Sequence, residues 1–378
     1  MPLRKEIIVL GDIEMGGGTL TDDFISDRAL SELIMEQANK NHPLDLVLNG
    51  DTFDFLKCPV QIGKKNVYHR HITKEISLAK LRLIHQAHLS VFKALARFLR
   101  HPDHSLYFTF GNHDLDLIFP EIQEGIRKIL NCKNRIHFEV KYHFDGVYVE
   151  HGMQYDFLNK VNFKKIFLRH HGKELLNISW VSFGLISKFM SMKEDHPFME
   201  RIMTRNELFG KYPAIPKKIT IRAGLYFLKS LIYYPWRYLT DPTYTLPKGL
   251  FLEFLRRVKT MHWDVDQVID IFKHHHRRNI FQNKIYVLSH VHEKYFEEKS
   301  GRIIIHPGSW RDEYDLISGK LIPRIKRYVR IKIDQFGHHS QLMEYPIQRS
   351  TFNFNLVVKN EKKYLKMAAK DEGFNFKY

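Results

Sequence analysis

Leu44-Asp45-Leu46-Val47-Leu48-Asn49-Gly50-Asp51-Thr52-Phe53-Asp54 sets an apolar run directly before a Gly-Asp turn and a second aspartate. A short apolar run bounded by turn residues reads as a buried strand, with the polar residues at its C-terminal end. The arrangement recurs on both sides. Ile7 to Leu10 precedes Gly11-Asp12-Ile13-Glu14, and Leu106 to Phe110 precedes Gly111-Asn112-His113-Asp114. Between these runs, near Asp27 to Lys40 and Lys74 to Arg100, apolar residues recur every three or four positions, as on helices. Further on, Gly146 to Val149 leads into Glu150-His151-Gly152, and Lys284 to Leu288 into Ser289-His290-Val291-His292. Polar groups at the carboxyl ends of strands are where open α/β sheets place their sites.

After His292 the pattern changes. Glu293 to Glu298, Arg302 to His306 and Ile322 to Ile333 read as strands linked by turns at Ser300-Gly301 and Gln335-Phe336-Gly337, which predicts a second, more antiparallel sheet. The stretch from Tyr155 to Ile280 is helix-like, aromatic and basic, broken up by Pro213, Pro216, Pro235, Pro242 and Pro247. It predicts a helical cap between the last two site-bearing strands. The expected division is a core over 1–155, a cap over 156–280, the rest of the core over 281–346, and a C-terminal extension over 347–378. That extension is polar and basic, and reads as a surface element or a partly disordered tail.

The chain has 378 residues, 44% of them hydrophobic, enough for a sizeable core. Its 59 Lys and Arg against 42 Asp and Glu give +17, which favours phosphorylated, nucleic-acid or anionic-membrane partners. Cys58 and Cys132 are the only cysteines and lack CxxC spacing, arguing against a disulfide framework or a thiolate metal site. No signal-peptide pattern opens the sequence, and no run reaches the roughly 18 apolar residues of a membrane span. A cytoplasmic protein, with peripheral membrane contact open, is expected.

Asp12, Asp51, Asn112, His151, His290 and His292 all follow apparent strands. Singly, each could be a cap, a turn residue or a hydrogen-bonded histidine. Together they supply the carboxylate, amide and imidazole donors that divalent ions such as Mn²⁺, Fe²⁺ and Zn²⁺ accept. His113 directly follows a candidate ligand, so its ring can lie beside the site without binding metal, as a proton donor. His274-His275-His276 points in different directions on a helix and reads as basic surface.

The order Gly50-Asp51-Thr52-Phe53-Asp54, Gly111-Asn112-His113-Asp114, His151-Gly152, His290-Val291-His292 resembles the calcineurin-like metallophosphoesterases over residues 5–155 and 280–333, and His306-Pro307-Gly308-Ser309 adds to it. The resemblance implies an α/β fold: a two-sheet β-sandwich flanked by helices, here carrying the helical cap. It implies two metal ions, the first taking Asp12, Glu14, Asp51 and His292, the second Asp51, Asn112, His151 and His290. Asp51 is then the bridge, and a hydroxide activated by both metals attacks phosphorus. His113 would be the leaving-group acid, held by Asp54, with Asp114 supporting the ligands from behind.

The sequence departs from the pattern at Glu14, where the family usually has histidine, and at Ser289, where glycine is usual. A carboxylate at 14 leans toward Mn²⁺ or Mg²⁺ over Zn²⁺. The cap layout is similar to that of UDP-2,3-diacylglucosamine pyrophosphatases, which suggests a lipid- or nucleotide-linked substrate. The resulting expectation is hydrolysis of a phosphomonoester, phosphodiester or pyrophosphate bond. The alternatives are a Mn-dependent nuclease and a non-catalytic metal-binding scaffold for a partner or membrane.

Overall fold

The structure, a computed structural model, describes residues 3–63, 65–253, 265–275 and 283–377. Lys5–Leu10 and Leu44–Asn49 are buried almost throughout, as parallel strands covered on both faces must be. They form the centre of a six-stranded sheet, ordered Gly337–Tyr345, Lys326–Asp334, Lys5–Leu10, Leu44–Asn49, His104–Thr109 and Ile136–Glu139. The last four strands are mutually parallel, and the first two pair antiparallel. A five-stranded sheet is ordered Lys294–Lys299, Arg302–Pro307, Ile285–Val287, Val147–Glu150 and Lys141–Phe144. Its three middle strands are parallel and its edges antiparallel.

The two-residue period of a strand divides the core. Ile7, Val9 and Val47 meet Val147, Val149 and Ile285 between the sheets. Ile8, Leu10, Leu46 and Leu48 turn the other way, onto helices Asp27–Ala38, Lys74–Ala87, Leu89–Phe98 and Pro120–Ile129. Helix Val265–His275 covers the outer face of the second sheet through Val268, Ile269 and Phe272. The fold is the expected α/β sandwich flanked by helices.

Five expectations need correction. The strand expected over Ile322 to Ile333 is two, Lys320–Pro323 and Lys326–Asp334, and the second pairs with Lys5–Leu10 in the six-stranded sheet, so the strands expected after His292 do not form one sheet of their own. The helix expected over Lys74 to Arg100 is two helices, broken at buried His88, whose ring reaches Asp22 and Asp27. The stretch expected to be helical after Tyr155 contains a hairpin, Phe167–His170 with Lys173–Leu176, turned by His171 and Gly172, both at positive φ. Pro216 and Pro235 do not interrupt the chain there, because both lie within helix Ala214–Tyr238, Pro216 in its first turn where its missing N–H costs nothing.

The tail is ordered. Phe352–Asn353 pairs with Lys320–Pro323, and helices Phe354–Lys359 and Glu361–Asp371 bury Phe354, Val357, Leu365 and Ala368 against Phe198, Ile202 and Tyr314. Asn353 and Asn360 accept backbone N–H bonds and cap the two helices. His274 and His275 end helix Val265–His275, while His276 lies outside the described residues.

Candidate metal centre

Every ligand candidate follows the C-terminal end of a strand. Asp12, Asp51 and Asn112 come from the six-stranded sheet, and His151, His290 and His292 from the five-stranded one, so the site straddles the sandwich's upper edge. Asn49 ties the sheets together beneath it, donating to the Glu150 carbonyl and to Ser289 Oγ, both at 3.0 Å. Ser289 is accommodated because Gly11 faces it: a Cβ at position 11 would lie 1.9 Å from the serine oxygen. Gly50 has φ +69°, and a Cβ there would sit 2.4 Å from His151 Nδ1.

Asp12, Glu14, Asp51, His290 and His292 themselves have positive φ, between 47° and 88°. Such backbone is unfavourable for side-chain-bearing residues, and a cluster of it marks strain held at a site.

His151 Nδ1 donates to the Asn49 carbonyl at 3.2 Å, leaving Nε2 to face Asp51 Oδ2 at 3.2 Å and Asn112 Oδ1 at 3.3 Å. Asp51, His151 and His290 offer donor atoms within 4.8 Å of one another. His292 Nδ1 donates to Glu313 Oε1 at 2.8 Å, and its Nε2 lies 3.8 Å from Asp12 Oδ1 and 3.6 Å from Glu14 Oε1. Donors each about 2.1 Å from one ion stand about 3–3.6 Å apart, so the Asp51, His151 and His290 group fits a cation with small adjustments, whereas Asp12 and Glu14 each approach His292 without closing into a three-membered group with it. Asp51 also belongs to a second close group with Glu14 and His113, which puts it in position to be shared.

The electrostatics point the same way. Burial works against charge on His151, yet the Asp51 and Asp12 carboxylates push its pKa up to about 10. Burial likewise opposes ionisation of Asp51, and the His151 and His113 rings overcome it, holding its carboxyl well below the usual range. A buried cluster of this kind favours cations.

His113 Nδ1 lies 3.0 Å from Asp54 Oδ1, and its backbone N–H donates to Asp51 Oδ1 at 2.7 Å. Burial disfavours charge on its ring, but Glu14, Asp54 and Asp51 raise its pKa to about 9. Asp114 accepts N–H bonds from Gly111 and Thr52, both at 2.7 Å, and so joins the loops that carry Asn112 and Asp51. Burial, reinforced by Asp51, raises its pKa to about 7.

Sequence reading missed the buried ion-pair network behind Glu14. Lys57 Nζ sits 2.6 Å from Glu14, 2.5 Å from Asp23 and 3.0 Å from Asp54. Arg311 lies 3.4 Å from Glu14 and 3.0 Å from Asp23, and Lys193 reaches Asp23 and Glu200. One Glu14 oxygen is thus taken by cations while the other faces His292. Lys57 stands three residues after Asp54 and Arg311 two after Ser309, but neither spacing says what the side chain will meet.

In the loop before helix Lys74–Ala87, Arg70 donates to the Thr243 carbonyl at 2.6 Å and stacks 3.8 Å from the Tyr244 ring. Next to it, His71 meets Asp241 at 2.7 Å beside His170.

The calcineurin-like phosphoesterase family model matches residues 6–338. The chain belongs to that family. It is therefore a metal-dependent hydrolase of phosphoester bonds in general type, and the converged carboxylates and histidines are this phosphoesterase's candidate ligands. Among solved structures the chain is similar to a single mutant of Vps29 from Entamoeba histolytica, at 8% identity and TM-score 0.29, over 90% of this chain and 99% of that one. It is also similar to the phosphopantetheinyl hydrolase of Mycobacterium tuberculosis, at 11% identity and TM-score 0.28, over 82% and 91%. No curated protein matches it in sequence.

Proposed function

We propose that this phosphoesterase hydrolyses a phosphomonoester, phosphodiester or pyrophosphate bond on a substrate with an extended apolar group. One observation carries the reading: a single cavity of about 430 Å³ is lined both by the candidate site and by apolar residues of the inserted segment. Asp51, Asn112, His113, His290 and His292 contribute the first part of that lining. Leu185, Phe189, Met192, Ile215 and Ile219 contribute the second, with Lys193, Arg205 and Lys218 among them. A half-open, partly apolar cavity with a few cations suits a phosphorylated amphiphile better than a polymer backbone.

Asp12, Glu14, Asp51 and His292 would hold one divalent ion, and Asp51, Asn112, His151 and His290 another. A pair of such ions lowers the pKa of a water and stabilises charge on phosphoryl oxygens. The donor set, rich in carboxylate, favours Mn²⁺ or Mg²⁺. The chain's own contribution is orientation: Glu313 and the Asn49 carbonyl fix the rings of His292 and His151. His113, gripped at Nδ1 by Asp54, has Nε2 for the leaving oxygen.

The test is turnover of p-nitrophenyl phosphate and its bis ester with Mn²⁺, together with elemental analysis. Parent protein is expected to turn both over and to hold about two ions per chain. Asp51→Asn should lose activity by at least about 10³-fold and lose bound metal. Unchanged turnover in Asp51→Asn would sink the reading. Cleavage of single-stranded or duplex DNA in preference to small esters would favour the nuclease, and bound metal without any turnover the scaffold.

A further inference from the structure

Helix Ala214–Tyr238 has two apolar faces, and only one is used. Tyr226, Phe227, Ser230 and Tyr234 are buried, with Tyr226 bonded to the Trp180 carbonyl and to Tyr234. On the opposite side Ile221, Leu225, Leu228, Ile232, Trp236 and Leu239 follow at intervals of four, three, four, four and three, one continuous helical stripe. All six are more than half exposed, from 52% at Ile221 to 78% at Leu239. Phe251 and Leu252 add to the surface. Eleven of the 21 exposed large apolar side chains among the described residues fall between Ile221 and Leu252, so this is a patch and not the scatter expected of an ordinary surface.

We propose that this face docks on an anionic lipid bilayer surface. The choice of occupant rests on charge and residue type. The helix carries Lys217, Lys218, Arg222, Lys229 and Arg237 and no acidic residue. At 100° per residue, Lys217 and Lys229 flank the stripe on its two sides. Apolar anchors bordered by cations, with Trp236, Tyr233 and Tyr238 at one end, match a bilayer boundary, where acyl chains, headgroup phosphates and the aromatic-rich interface occur together. A second copy of the chain would bring like-charged flanks together. The helix lies on the membrane and does not cross it: no helix among the described residues is long and apolar enough to span. Ile215, Lys218 and Ile219, from its first two turns, line the cavity, so docking sets one wall of that cavity at the lipid surface. The docking stands on this face alone and does not depend on the substrate reading.

The test is co-sedimentation of the full chain with vesicles of phosphatidylcholine alone and with about 30 mol % phosphatidylglycerol added. The parent is expected to bind the anionic vesicles at least about tenfold more tightly, and to be weakened between about 0.1 M and 1 M salt. Ile232→Ser/Trp236→Ser/Leu239→Ser should lose vesicle binding by about tenfold or more. Lys217→Gln/Lys229→Gln should lose affinity together with much of the salt dependence. Both variants change exposed side chains outside the site and should keep the parent's turnover of p-nitrophenyl phosphate. Equal binding by the parent and the triple variant overturns the proposal. So does a parent that ignores both vesicle types, or one that dimerises in analytical ultracentrifugation through a contact the triple variant abolishes.

Discussion

Glu14 and Lys57 behave as one unit. A histidine ligand is neutral, so glutamate in its place adds a negative charge, and Lys57, 2.6 Å away, returns a positive one. Glu14→His alone would leave that buried ammonium short of a partner, and Lys57→Met alone would leave Glu14, Asp23 and Asp54 undercompensated. Each single change should cost about 3–5 kcal/mol, and the double variant markedly less than their sum, with a coupling of about 1–3 kcal/mol in urea unfolding. Strictly additive losses would show that the two act independently. The ligand candidates were legible because each follows an apolar run and a glycine or turn. Lys57 was not, because its meaning comes from Asp23, Lys193 and Arg311, brought together from distant parts of the chain.

At the scale of elements, the break between helices Lys74–Ala87 and Leu89–Phe98 is organised by His88. Its Nδ1 lies 2.9 Å from Asp27 and its Nε2 3.1 Å from Asp22, and Phe374 from the tail stacks on it with ring centres 5.3 Å apart. Burial disfavours the charged ring, but Asp27 and Asp22 raise its pKa from 6.5 to about 10. A raised folded-state pKa stabilises fully below the unfolded value and loses that contribution as pH climbs through the folded one. The parent's advantage over His88→Gln, about 3–5 kcal/mol, should therefore be full below pH 6.5 and fade toward pH 10, as measured by urea unfolding across that range. A flat difference would mean that the ring acts by packing alone.

The tail that stacks here was not visible in composition, because Glu361–Asp371 buries only Leu365, Ala368 and Ala369 among otherwise polar residues. The hairpin did have a signal. His171-Gly172 is a two-residue turn of the kind that joins strands, outweighed by aromatic and basic surroundings that read as helix.

In the whole molecule, ligand candidates from two sheets converge on one site, so cation binding should clamp the sandwich. A ligand present at about 100 times its Kd adds about 2.7 kcal/mol to native stability. Thermal unfolding should shift upward with Mn²⁺ and downward on chelation in the parent, and respond little in Asp51→Asn. An Asp51→Asn midpoint that moves as far as the parent's would place the effect elsewhere. The sandwich itself was foreseeable from the alternation of strand and helix patterns, since parallel strands buried on both faces leave continuous apolar runs. The apolar stripe on Ala214–Tyr238 could be seen as a pattern, but which of the helix's two faces is buried depends on Trp180 and Gly184, whose approach no local periodicity announces.

The left-handed backbone at Asp12, Glu14, Asp51, His290 and His292 sets foldability against function. Glycine would relieve the conformational cost at each position, by about 1 kcal/mol, while removing the side chain the chemistry needs. Asp51→Gly should accordingly unfold at a higher temperature than Asp51→Ala, with both inactive. A laboratory selection for heat resistance alone, run on a library of this gene with no demand for turnover, would drift toward glycine at the Asp12, Asp51, His290 and His292 codons, sparing Glu14 for its ion pair with Lys57, and return a sturdier, inert protein.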